Sequence, residues 1–236
     1  MKLGLVVNNI NTECSYYTTT QIAMTATNMG HEVWYISLTQ LTYNVDECLI
    51  ATVRQAPRHR YHSIDVFLRA LKGQEAVTER IKLEDLDVLW LRNDPADDAI
   101  IRPWAKHAGI NFGRLAKRRG VLVINDPDGL AVASNKMYLQ YFPAKVRPET
   151  VISRDPETIK AFIHDQGGLA VLKPLSGSGG WLVGSIHRRG NTHRSAPGPA
   201  HRTVSRTPRT GLASFSGFRV TRSVPAWSAG AGNPPA

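Results

Sequence analysis

Through residue 181 the hydrophobic positions come in short bursts, each closed by a polar cluster. Leu3-Gly4-Leu5-Val6-Val7 runs straight into Asn8-Asn9, which predicts a buried strand followed by a loop. Thr18-Thr19-Thr20 stands where a helix cap belongs; Ile22, Ala23, Ala26 and Met29 follow at helical spacing, and Gly30 closes the turn. Residues 32–36, Glu-Val-Trp-Tyr-Ile, predict the next strand, and strand–helix–strand at this spacing predicts a crossover between parallel neighbours. Residues 87–91 and 121–124 predict two further strands, with a helix over 110–119 between them that ends at Gly120. The polar ends Asn8-Asn9, Arg92-Asn93-Asp94-Pro95 and Asn125-Asp126-Pro127 predict an open α/β sheet with ligand groups at its carboxyl edge. Between residues 40 and 80 only 49–53 reads as a strand, and Arg54 to Arg60 reads as a basic loop.

Beyond Pro127 the pattern changes. Ser134-Asn135-Lys136 opens a short helical stretch, and residues 149–152 predict a strand. Asp155-Pro156 opens a helix whose apolar face is Ile159, Phe162 and Ile163, with Gly167-Gly168 at its end. Residues 170–173 form a strand that runs into Pro174-Leu175-Ser176-Gly177-Ser178-Gly179-Gly180. The expected organisation is an α/β domain over 1–125, a partial second unit over 126–181, and a tail over 182–236.

Charge separates the tail from the rest. Residues 1–181 hold 21 Lys and Arg against 19 Asp and Glu; residues 182–236 hold 8 Arg with no Lys, Asp or Glu, so the net charge of +10 belongs mostly to the tail. The tail also has 7 Gly, 6 Pro and 7 Ser, with no sustained period. That composition buries too little apolar surface to offset the entropy of ordering, so it is expected to be disordered. It is also what a GC-rich gene yields when read out of frame. A non-catalytic alternative follows from the same arginines: an α/β binding module whose tail holds nucleic acid or acidic partners non-specifically. No apolar run approaches the ~20 residues of a membrane span. Two cysteines, Cys14 and Cys48, give no disulfide framework, so a cytoplasmic setting is expected.

The strongest chemical feature is the strand that delivers Lys173 into Ser176, Gly177, Ser178, Gly179 and Gly180. Small residues let backbone N–H groups approach phosphate oxygens, and the lysine adds positive charge. The order of residues is not that of a Walker A loop, which ends in Gly-Lys-Ser/Thr. Lys136 follows a helix-start signal and Lys72 reads as an outer-surface lysine. Arg92, Asn93 and Asp94 end a buried strand, and they read either as groups facing a cleft at the sheet edge or as a turn that Asp94-Pro95 closes. His59 and His62 belong to a solvated basic loop with no metal-ligand partner in place; no metal site is read. Met24, Met29 and Met137 read as core fillers.

These stretches resemble the N-terminal part of prokaryotic-type glutathione synthetases and related ATP-grasp ligases. The resemblance rests on residues 2–8, 85–95, 123–127, 135–143, 147–154 and 172–180, in that order and spacing. It implies a pre-ATP-grasp, Rossmann-like substrate domain followed by part of an ATP-grasp subdomain. It implies ATP and Mg²⁺ as cofactors, with Lys136 and Lys173 on the nucleotide phosphates and 176–180 as the covering loop. The family reaction joins a carboxylate to an amine through an acyl phosphate; for glutathione synthetase these are γ-glutamylcysteine and glycine. After Gly180 the expected acidic metal ligands do not follow, so the chain reads as a truncated or frameshifted ligase that is inactive by itself.

Overall fold

The first apolar run forms strand β1 (Lys2–Val7), an interior strand of a mixed sheet. Helix α1 (Thr18–Asn28) and strand β2 (Glu32–Ser37) follow, then β3 (Leu41–Tyr43), β4 (Leu49–Gln55), helix α2 (Ile64–Lys72) and β5 (Val77–Lys82). Strand β6 (Val88–Leu91), helices α3 (Pro95–Asp98) and α4 (Ala108–Arg118), strand β7 (Leu122–Ile124) and helix α5 (Pro127–Ala133) complete this part. In space the strands run β3-β4-β2-β1-β6-β7, with β5 also paired to β4. β1 is parallel to β2 and β6, and β6 to β7. β4 is antiparallel to β2, β3 and β5. The computed structural model describes residues 1–98, 102–176, 184–186, 192–194 and 218–222. Compact units span Met1–Ser134 and Asn135–Ala236.

At the centre of the first sheet both faces are buried, which explains why β1 and β2 read as unbroken apolar runs. Leu3, Leu5, Val7, Val33 and Tyr35 pack with Ala23 and Ala26 of α1 and with Phe67 and Leu71 of α2. Val6, Ile36, Leu89 and Leu91 pack on the other side with Ala116 of α4. Leu5, Tyr35, Ile36 and Leu89 are fully buried. Gly30 takes a left-handed φ of 83°, as its predicted place after α1 requires.

Several local expectations are corrected. Thr18, Thr19 and Thr20 do not cap α1; they begin it, after Tyr17, and the Thr20 hydroxyl donates to the Cys14 carbonyl at 2.9 Å. Arg54 and Gln55 extend β4, so the basic loop starts after them; His59, Arg60 and His62 within it are solvent-exposed. Met29 and Met137 are 69% and 51% exposed, because they fall on outer faces; Met24 alone of the three packs against the core. Between 40 and 80 the chain adds β3, α2 and β5 to the single strand expected there. No helix among the described residues is long and apolar enough to cross a membrane.

In the second unit, β8 (Thr150–Ser153), helix α6 (Pro156–Asp165) and β9 (Ala170–Pro174) fall where the pattern puts them. Three strands lie within the basic tail: β10 (Gly184–Ile186), β11 (Thr192–Arg194) and β12 (Phe218–Arg222). The sheet order is β11-β10-β9-β12-β8, with antiparallel pairing throughout. The expectation of a tail without regular structure does not extend to these eleven residues. Their pairing satisfies the backbone groups along the edges of β8 and β9, a gain that composition does not register. The other residues of 182–236 lie outside the described ones.

Asp155 caps α6, its carboxylate accepting from the Glu157 and Thr158 N–H groups at 3.3 and 2.9 Å. Hydrogen bonds from Thr158 hold its pKa below the ordinary value. Asp155→Ala is expected to lower the thermal midpoint by about 4 °C at pH 7. An acid held down in the folded state stabilises above its unfolded pKa and loses that as pH falls. The two midpoints should therefore converge below about pH 4. A difference that persists there would show that the cap's charge is not the cause.

Candidate functional site

The carboxyl edge of the first sheet gathers the polar strand ends. A cavity of about 300 Å³ lies there. Arg92, Asn93, Asp94, Asn125 and Ser134 supply its polar wall. Leu91, Ile110 and Leu130 supply much of its apolar wall. The three residues read from the sequence as a cleft triplet are thus brought together on one wall. Asn125 and Ser134 join them from the end of β7 and the end of α5.

Each polar group is held by its neighbours. The Arg92 N–H donates to the Val6 carbonyl at 2.8 Å, continuing the β1–β6 ladder one step past the strand. Its side chain donates through Nε to Thr19 Oγ1 at 3.0 Å, and the guanidinium sits 5.8 Å from the centre of the Trp90 ring. Asn93 lies against the first turn of α4, so closely that a Cβ on Gly109 would come within 2.5 Å of its Oδ1. Asp94 Oδ1 accepts from the Ala96 N–H at 2.8 Å. Asn125 has a left-handed φ of 57°, and its Nδ2 donates to the Leu91 carbonyl at 2.7 Å. Asparagine is among the few side chains that tolerate that conformation, and here it ties the end of β7 to the end of β6.

Behind this edge lies a buried carboxyl that the sequence does not announce. Glu13 is 7% exposed, and Oε2 has no hydrogen-bond partner among the described residues. Burial pushes its pKa up to about 7, against the opposing pull of Lys72, the Thr20 hydroxyl and Arg92. Lys72 is correspondingly not an idle surface lysine: Nζ donates to the carbonyls of Asn11 and Glu13 at 2.9 and 2.6 Å.

In the second unit the Lys136 N–H donates to the Leu175 carbonyl at 2.8 Å, setting the start of the 136–141 turn beside the strand that carries Lys173. Lys136 and Lys173 are both half-buried, Leu175 is buried and Ser176 is exposed. Gly177, Ser178, Gly179 and Gly180 lie outside the described residues. The described part therefore fits a phosphate group to the extent that two lysines flank the loop's first residues. For Mg²⁺ there is no such fit: no group of three or more His, Cys, Asp or Glu among the described residues is placed to hold a metal ion.

Residues 1–131 match the model of the prokaryotic glutathione synthetase N-terminal domain, and residues 135–195 that of the prokaryotic glutathione synthetase ATP-grasp domain. The glutathione synthetase of Salmonella typhi is 30% identical over 185 residues, covering 76% of this chain and 53% of that protein. That of Pseudomonas syringae pv. tomato is 30% identical over 200 residues, covering 83% and 56%. The chain thus spans about half the length of the curated relatives it matches. Among solved structures, D-cycloserine synthetase superposes with a TM-score of 0.51 at 16% identity, covering 95% of this chain and 60% of that one, a likeness of fold.

Proposed function

The chain belongs to the prokaryotic glutathione synthetase family, and we propose that it carries the acid-binding unit and the first phosphate-binding unit of an ATP-dependent carboxylate–amine ligase. The observation that supports this most directly is the backbone bond from Lys136 to Leu175, which sets one lysine beside the loop that the other, Lys173, leads into. Two ammonium groups and the N–H groups of a small-residue loop are suited to phosphate oxygens.

By family likeness the acid is γ-glutamylcysteine and the amine glycine. ATP would supply the phosphoryl group that turns the carboxylate into an acyl phosphate, with ADP released; the amine nitrogen would then bond to the carbonyl carbon, losing a proton, as phosphate departs. This chain's own residues would do the following. Arg92 pairs with a carboxylate of the acid, while Asn93, Asp94 and Asn125 fix its orientation by hydrogen bonds, and Leu91, Ile110 and Leu130 keep water from its apolar part. Lys136, Lys173 and residues 176–180 hold the phosphates. Magnesium needs carboxylate oxygens, and residues 182–236 contain no Asp or Glu. No step is assigned to the metal, and this chain is expected to show no ligase turnover by itself.

Titration calorimetry with ATP tests the phosphate role. Binding in the millimolar range, weakened by salt, is expected. Lys173→Ala should weaken it about tenfold, the order of one lost charge-assisted contact. Lys160→Ala, on the exposed face of α6 where Lys160 pairs with Glu157, should leave it unchanged. Equal losses in the two variants would refute a specific role for Lys173.

A further inference from the structure

The β1–β6 ladder ends where Arg92 donates to Val6. Past that point residues 93–94 leave the strand and line the polar wall of the cavity. The side chain of Asn8 takes over. Its Oδ1 accepts from the Asp94 N–H at 2.7 Å and its Nδ2 donates to the Asp94 carbonyl at 2.8 Å, so the amide copies one rung of a β-ladder. The same Nδ2 donates to Asp98 Oδ2 at 2.8 Å. Asp98 is 4% exposed and is held in turn by Arg102, which reaches Oδ1 at 2.6 Å and the Asn8 carbonyl at 3.3 Å. Asn8 is 86 residues from Asp94 and 90 from Asp98, so this is a tertiary knot rather than a turn.

We infer that Asn8 is a positioning residue: with Asp98 and Arg102 it fixes the backbone of Asp94, and so the direction in which Arg92, Asn93 and Asp94 meet a ligand in the cavity. An amide suits this task and a carboxylate does not. Of the two, the amide alone donates and accepts at once, matching the two Asp94 backbone groups while also facing the buried carboxylate of Asp98. An Asp at position 8 would keep the bond from the Asp94 N–H but would set two carboxylates against each other in a part-buried place. Asp98 is buried, so losing the amide donor leaves a carboxylate oxygen short of one partner in a place where that is costly.

The inference rests on the reading that this cavity receives the acid substrate, and the experiment separates the two. Amide exchange at Asp94, followed by NMR in the full chain, reports the positioning directly. Calorimetry with γ-glutamylcysteine reports the use of the cavity, and urea denaturation reports global stability. Asn8→Ala, which removes the acceptor of the Asp94 N–H, should speed Asp94 exchange about tenfold beyond what the change in global stability explains, and Asn8→Asp, which keeps an acceptor but faces Asp98, should speed it by less. Each should also weaken γ-glutamylcysteine binding by about tenfold or more, as small displacements of polar groups do. The double variant Asn8→Asp with Asp98→Asn reverses donor and acceptor between the two side chains but leaves the Asp94 carbonyl without its donor, so both readouts should recover only in part, to values between the Asn8→Asp variant and the parent. Asp94 exchange that is unchanged, or that changes only in step with global unfolding, overturns the positioning role. If the parent chain fails to bind γ-glutamylcysteine, the functional reading of the cavity falls, and Asp94 exchange with its rescue still decides the role of Asn8.

Discussion

Gly113→Val is expected to lower the stability of the first unit by about 2–3 kcal/mol, although helix propensity alone predicts the opposite sign. Gly113 is an interior position of α4, where glycine costs about 0.5–1 kcal/mol against an ordinary helix former. Its Cβ, if present, would sit 2.8 Å from Leu91 Cδ1 and 3.4 Å from Pro127 Cβ. Leu91 is 2% exposed, so it has nowhere to retreat, and Pro127 is the first residue of α5. Overpacking of a filled core costs about 1–3 kcal/mol, and valine adds two methyl groups beyond the clashing carbon. Packing therefore outweighs propensity. Gly113→Ala, with one clashing carbon and the best helix former, should come out within about 1 kcal/mol of the parent. Because Leu91 and Ile110 wall the cavity, the valine variant should also lose ligand binding at concentrations where it is still folded. Equal urea midpoints for the glycine and valine chains would show that α4 does not press on β6 as closely as described.

The parallel strands were legible because their burial on both faces leaves an unambiguous apolar run. β1, β2 and β6 are the cases in point, and the polar residues that end β6 line a cavity. The antiparallel strands β3 and β5 were not legible for the converse reason. β5 reads Val-Thr-Glu-Arg-Ile-Lys and is exposed along nearly its whole length, so no buried face imposes a period on it. α2 did carry a signal: Ile64, Phe67, Leu68 and Leu71 stand at the i, i+3, i+4, i+7 spacing of an amphipathic helix. At the site, Arg92, Asn93 and Asp94 could be found because a strand end is a local feature. Asn8 could be seen only as the start of a loop, since its role depends on partners some ninety residues away. The left-handed Asn125 was likewise visible only as part of a turn. The lysines beside the glycine-rich loop stood out through residue type and order, which local chemistry demands; that Lys136 meets Leu175 is a matter of tertiary structure.

Glu13→Gln should stabilise the first unit, and by an amount that depends on pH. The carboxyl is buried, with one oxygen lacking a partner among the described residues, and burial raises its pKa from an ordinary value of 4.5 to about 7. A carboxyl with a raised folded-state pKa destabilises in its ionised form. Below about pH 4.5 it is protonated both folded and unfolded, and the penalty is absent. Between 4.5 and 7 the unfolded chain ionises freely while the folded chain resists, so stability falls as pH rises. Above about 7 the penalty is complete. A shift of this size corresponds to an upper limit of about 3 kcal/mol. The opposing pull of Lys72 and Arg92 is already contained in that shift, so a gain of about 2–3 kcal/mol at pH 8 is expected when the glutamine amide finds a partner. The Tyr35 hydroxyl, also buried and without a partner among the described residues, is a ready acceptor for that amide. Urea unfolding of both chains at pH 4, 6 and 8 measures the difference directly. The gain should be near zero at pH 4, intermediate at pH 6 and full at pH 8. A constant gain across the three would assign it to packing rather than to charge, and a loss at pH 8 would mean that the ionised Glu13 holds the 8–17 segment to Lys72 more strongly than its burial opposes it.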